Sequence, residues 1–120
     1  MTSSLDDFGM ELVDARDDAI SQLDRLLAGG DRSERGSKLK SVVEALPPEL
    51  LGPLRALTVD AIDNTLHLIL WMFERSERFE IVDRESGDDR SLARTSDGFS
   101  GEIYTEDGWF ARFSRFGLDP

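Results

Sequence analysis

With 120 residues, 25 acidic against 14 basic side chains, a formal charge of −11 and no cysteine, the chain is sized for one domain, residues 1–120, that can bury a core without disulfides. This composition excludes disulfides, thiolate zinc sites and cysteine nucleophiles, and its negative charge repels phosphate backbones, which argues against a nucleic-acid partner. The opening residues carry no export signal and no segment reaches the ~18 apolar residues of a membrane span, so a cytoplasmic protein is expected.

Ser3 or Ser4 can cap a first helix whose early turns hold Asp6 and Asp7. Leu5, Phe8, Leu12, Ala19, Leu23 and Leu26 recur at helical spacing, and the opposite face carries Glu11, Asp14, Asp17 and Asp18. Up to Gly30 there are seven acids and two bases, so this face is either a solvated helix surface or a docking surface for a basic protein. Gly29-Gly30 ends the helix. The polar run 31–36 suits a loop, Ser37 to Leu46 a short second helix with Leu39, Val42 and Val43 inward, and Pro47-Pro48 a stop.

The spacing of Leu57, Ala61, Thr65, Leu68 and Met72, with Ile62, Leu66, Ile69 and Phe73 in the adjacent row, predicts a long central helix over about 53–77 with Pro53 in its first turn. Its apolar arc of roughly 220° far exceeds the stripe of about 100° on a surface helix, so packing from more than one side is expected. The remaining arc carries Asp60, Asp63, Asn64, His67, Trp71 and Glu74.

After Glu77 the pattern changes to alternation. Residues 79–84 read as a strand bounded by the acidic turn Ser86-Gly87-Asp88-Asp89, and Ser91 to Thr95 as a second, weaker one. The stretch 101–116 reads as a hairpin whose loop is Glu106-Asp107-Gly108, with Gly108 at positive φ and Glu102 paired across to Arg112. In that hairpin Ile103, Trp109, Ala111 and Phe113 share one face and Tyr104, Phe110 and Phe116 the other. The expected fold class is α+β: a two-layer sandwich of three N-terminal helices followed by an antiparallel four-strand meander, order αααββββ.

His67 is the single histidine, and Asp63 stands one turn before it. The pair is either acid–base chemistry, with Asp63 orienting the imidazole, or an ordinary i,i+4 contact on a helix surface. No serine is tied to it by a motif, no second histidine completes a metal site, and no glycine-rich loop cradles a phosphate, so neither cofactor nor metal is expected. Trp71 is a lid over the polar stripe or an exposed anchor for a partner.

Two functions remain. One is a non-enzymatic acidic protein-binding module for a partner with a basic surface, using Asp14, Asp17, Asp18, Trp71, Tyr104, Asp107 and Phe110, with a homodimer through the terminal hairpin compatible. The other is a small enzyme or ligand-binding protein with a His67/Asp63 pocket between the long helix and the sheet. In size, acidity, lack of cysteine and lack of a catalytic set, the chain is similar in kind to small bacterial immunity proteins that neutralise a toxin domain. That resemblance implies a regulatory, protein-binding role and carries over no site residues.

Overall fold

The first helix begins where a hydroxyl can cap it. In the computed structural model, which describes residues 3–87 and 89–120, Ser3 Oγ accepts the Asp6 N–H at 3.1 Å and α1 runs over Ser4–Leu27. It stops at Gly29, whose φ of 77° lets the Gly30 N–H turn back to the Arg25 carbonyl at 2.9 Å. Helix α2, Glu34–Glu44, starts earlier than its apolar pattern indicates. Ser33 Oγ accepts from the Gly36 N–H, and the Asp31 carboxylate accepts from the Ser33 N–H, so the polar run expected as a loop builds the cap instead. A single 3-10 turn, Pro48–Leu50, leads into α3, Leu51–Arg75.

Helices α1 and α3 are antiparallel. Arg16 bonds Asp63 and Asp24 bonds Arg55, so as one helix advances the other retreats in step. Between these rungs Ile20, Leu23 and Val59 form one core cluster. A larger cluster lies towards the other end, where Val13 and Leu70 meet Leu92, Phe99, Ile103, Trp109 and Phe110 from the C-terminal third.

That third corrects the α+β expectation: the fold is all-helical, with no strand among the described residues and no antiparallel meander. The weaker strand expected at 91–95 is a helical turn, α4, Leu92–Thr95, followed by a 3-10 turn at Phe99–Gly101. Residues 79–83 form no strand; the Ile81 carbonyl instead accepts the Leu92 N–H at 2.8 Å. Of the acidic turn expected at 86–89, Asp88 lies outside the described residues.

The expected hairpin is replaced by α5, Trp109–Phe113, and a homodimer contact through that hairpin falls with it. Glu106-Asp107-Gly108 is indeed a turn, but one that opens a helix. Gly108 has φ −78°, and its N–H and that of Trp109 go to the Thr105 and Glu102 carbonyls. A Cβ at Gly108 would lie 2.5 Å from that Glu102 carbonyl, which is why glycine stands there. The expected Glu102–Arg112 pair does not form: Arg112 reaches Asp6 at 2.9 Å, and Glu102 accepts from Ser96 Oγ at 2.6 Å.

The physical reason is which residues must go inward together. A strand sends the neighbours Trp109 and Phe110 to opposite faces, whereas a helical turn brings 109, 110 and 113 to one side. Trp109 and Phe110 are both fully buried. A helix laid against α1 covers both rings; a thin sheet would leave one in water.

The second packing layer expected around α3 is missing. Val59, Asp63 and Leu70 point into the molecule, but the opposite arc is bare, with Leu57 71% and Leu68 51% exposed beside Leu50, Ile69 and Met72. The radius of gyration, 16.9 Å, exceeds the roughly 14 Å of a compact chain of this length, in keeping with a layer left open on one side.

Candidate functional site

The most ordered polar chemistry in the protein is internal. Arg16, on α1, donates through Nε and Nη2 to the two carboxylate oxygens of Asp63 on α3, at 2.8 and 2.9 Å. Its Nη1 donates to Ser114 Oγ and to the Gly117 carbonyl, both at 3.0 Å, and its guanidinium lies 4.0 Å from the centroid of the Phe110 ring. Asp17, the next residue on α1, accepts from Ser114 Oγ at 2.6 Å and from the Arg115 N–H at 3.0 Å. The Ser114 hydroxyl is fully used, since it donates to Asp17 and accepts from Arg16 and from the Phe116 N–H.

Planar, bidentate and charge-assisted bonding of this kind satisfies every group it buries, which is the condition for placing two carboxylates and a guanidinium in a small core. The arrangement joins α1, α3 and the C-terminal segment 114–117. It leaves Asp63 and Asp17 no carboxylate oxygen turned to an outside ligand.

Phase along the helix was the available signal for this network. Val13, Arg16, Asp17 and Ile20 stand at i, i+3, i+4 and i+7, and Val59, Asp63, Leu66 and Leu70 follow the same rule on α3. Charges of opposite sign at core positions of two helices foretell a buried pair. Reading Asp17 with its neighbours Asp14 and Asp18 as one acidic face overlooks that phase. Asp14 and Asp18 are exposed, while Asp17 is 2% exposed.

His67 and Asp63 do not come together. Asp63 turns to Arg16, whereas His67 Nδ1 lies 2.9 Å from the Ser100 carbonyl. A carbonyl only accepts, so Nδ1 carries the hydrogen of this contact. Glu74, two turns further along α3, accepts from Ser100 Oγ at 3.2 Å, so this stripe of the helix fastens the 3-10 turn at 99–101. Tyr104 is half-exposed between His67 and the buried Phe110, with ring centroids 5.4 and 6.1 Å away. Partial burial, then the charges of Asp63 and Asp60, hold its phenol above the usual range and therefore neutral at physiological pH.

Trp71 is 42% exposed with the Arg75 guanidinium 4.0 Å from its ring, and Asp107 sits exposed in its turn. Among the described residues no group of three or more histidine, aspartate or glutamate side chains could hold a metal ion, and no helix is long and apolar enough to cross a membrane.

Concave features lie elsewhere. One cleft of about 270 Å³ lies between the start of α1 and residues 81–85, where Ser4 Oγ donates to Asp83 at 2.5 Å. A second, of about 340 Å³, is a groove between α2 and α3 floored by α1, lined by Ala19, Leu23, Leu26, Leu39 and Ile62. This groove runs beside the bare outer arc of α3 and shares its apolar character.

Half-exposed ion pairs tie the periphery. Asp6 is held below the usual carboxylate range by its hydrogen bonds from Arg112, against the opposing effect of burial, and Asp24 likewise by Arg55. A depressed folded-state pKa contributes stability that is present above the unfolded value, ~4, and is lost as pH falls through the folded value. Urea midpoints of Arg112→Gln and the parent chain are therefore expected to lie further apart at pH 7 than at an acid pH below the unfolded carboxylate value. An equal gap at both pH values would show that the Asp6–Arg112 pair is not the source. No protein-family model, curated protein or solved structure matches this chain.

Proposed function

We infer that the chain is a non-enzymatic protein-binding module whose contact surface is the outer arc of α3. The observation that carries this reading is that an arc of about 120°, from Leu50 to Met72, holds leucine, isoleucine, methionine, alanine and threonine without one charged side chain, in a protein where 32% of residues are charged. A solvated helix face in so acidic a chain has no physical reason to avoid charge over six turns. A face that meets another protein does.

The groups that could support chemistry favour the same reading, since Asp63, Asp17 and His67 are each engaged in holding the fold. The exposed acids Glu11, Asp14 and Asp18 lie on the side of α1 turned away from α3. They suit a basic partner approached at long range, as in the immunity-like class, and would raise its association rate more than its affinity. A cytoplasmic setting agrees with the absence of cysteine.

The test uses the chain as bait, with chemical cross-linking at low salt. The parent chain is expected to retain a second protein or a second copy of itself, and Leu57→Asp to lose it while keeping its helical circular dichroism. A parent chain that stays monomeric and retains nothing above background overturns the reading.

A further inference from the structure

We propose that the occupant of the α3 face is a second copy of this chain, docked with its own α3 antiparallel across a two-fold axis that passes between Ala61 and Thr65. This rests on the binding-module reading above and, for the α3 face, takes a second copy in place of the basic partner that the acids of α1 suit.

The argument is that the face is complementary to itself when reversed. Large side chains stand towards both ends of the stripe and small ones at its centre, where Ala61 and Thr65 are exposed. Turned about the midpoint, Leu54 of one copy lies opposite Met72 of the other, Leu57 opposite Leu68, and Ala61 opposite Thr65. Small residues at the crossing let two backbones approach, and long ones close the gap as the helices diverge, as packing at about 20° requires. A closed two-fold contact of this kind uses the same patch on both partners.

Charge agrees with the same arrangement. The stripe is flanked by Glu49 at its beginning and Arg75 at its end, both exposed, and reversal sets Glu49 of each copy near Arg75 of the other. A parallel pairing would put like charges together. The exposed acids Glu11, Asp14 and Asp18 lie on the outer side of α1, away from the seam, so their repulsion between copies acts across the width of the molecule and is screened. A basic partner, by contrast, finds no acid within the stripe to meet it.

The area is sufficient. A helix of 25 residues is about 37 Å long, and its outer arc with Leu39 across the adjoining groove is of the order of the ~800 Å² per partner used by ordinary specific interfaces.

Sedimentation equilibrium of the intact chain from about 1 to about 500 µM tests the proposal, a range that brackets the micromolar dissociation constant expected of one modest interface. The parent chain is expected to dimerise, and Leu57→Asp and Leu68→Asp, each at an exposed position and so free to fold, to stay monomeric with unchanged circular dichroism. Glu49→Arg and Arg75→Glu are each expected to weaken the dimer about two- to five-fold, and the two together in one chain to restore it. A monomer throughout the range, or a dimer indifferent to both aspartate variants, overturns the proposal; failure of the charge reversal to restore the dimer overturns the antiparallel register. A monomer that still captures another protein, lost in Leu57→Asp, rejects the second copy while leaving the binding-module reading in place. A monomer that captures nothing rejects both.

Discussion

Replacing Arg16 with methionine is expected to lower the unfolding free energy by about 3–5 kcal/mol, the effect of leaving buried carboxylates without their counter-charge. The side chain of Arg16 is fully enclosed and that of Asp63 only 10% exposed, so water cannot take over the lost bonds. Domains of this size are stable by about 5–15 kcal/mol, and the variant would sit near the edge of folding. The cause is separable from loss of packing. Methionine keeps most of the aliphatic stem under Phe110, and changing Asp63 to leucine in the same chain removes one of the two orphaned carboxylates, leaving Asp17, so the double variant is expected to recover part of the loss. Urea midpoints at unchanged slope measure both steps. A single-variant loss below about 1 kcal/mol would mean the pair behaves as an exposed one.

The same network explains why part of this fold was legible in the sequence and part was not. Helix boundaries at Ser3, at Gly29 and around Pro47-Pro48 come from local chemistry: a hydroxyl that accepts an orphan N–H, a glycine that turns left-handed, a proline that cannot continue. The long helix α3 is given by its period. The direction of burial is less directly encoded, because a wide apolar arc signals contact without saying whether the contact lies within the chain. The sandwich expectation supplied an internal sheet to cover that arc, and its absence turns the outer face of α3 from core into surface.

The C-terminal third resisted for a different reason. Its elements are three to five residues long, shorter than the length at which helical and strand periods separate, and they are held by partners distant in sequence. Alternating apolar residues from Ile103 to Phe113 match a strand as well as a turn of helix. The choice is made by α1, which offers Trp109 a flat seat that no local signal describes. Asp17 and Asp63 were visible as acids but not as tethers, because their meaning depends on Arg16 and Ser114 meeting between helices.

That seat leads to the second large effect. Trp109 is fully buried beside Gly9, with Phe8 and Phe99 set edge-on at 5.9 and 6.1 Å, and its truncation to alanine is expected to cost about 3–5 kcal/mol. Gly9 lies inside α1, where glycine is less favourable than alanine by about 1 kcal/mol, so on local grounds Gly9→Ala should stabilise the helix. A Cβ there would lie 2.5–2.6 Å from three indole atoms of a rigid, enclosed ring, and the expected net result is a loss of about 1–3 kcal/mol. The two substitutions are thus coupled with a change of sign. In the parent chain Gly9→Ala destabilises; in Trp109→Ala, where the ring is gone, it stabilises by up to about 1 kcal/mol. Thermal or urea unfolding of the four chains completes the cycle. Were the C-terminal residues to form a hairpin, Trp109 would have no reason to press on this one glycine, and Gly9→Ala would be stabilising in both backgrounds. The sign of a single methyl group's effect therefore decides between a helix and a strand at the far end of the chain.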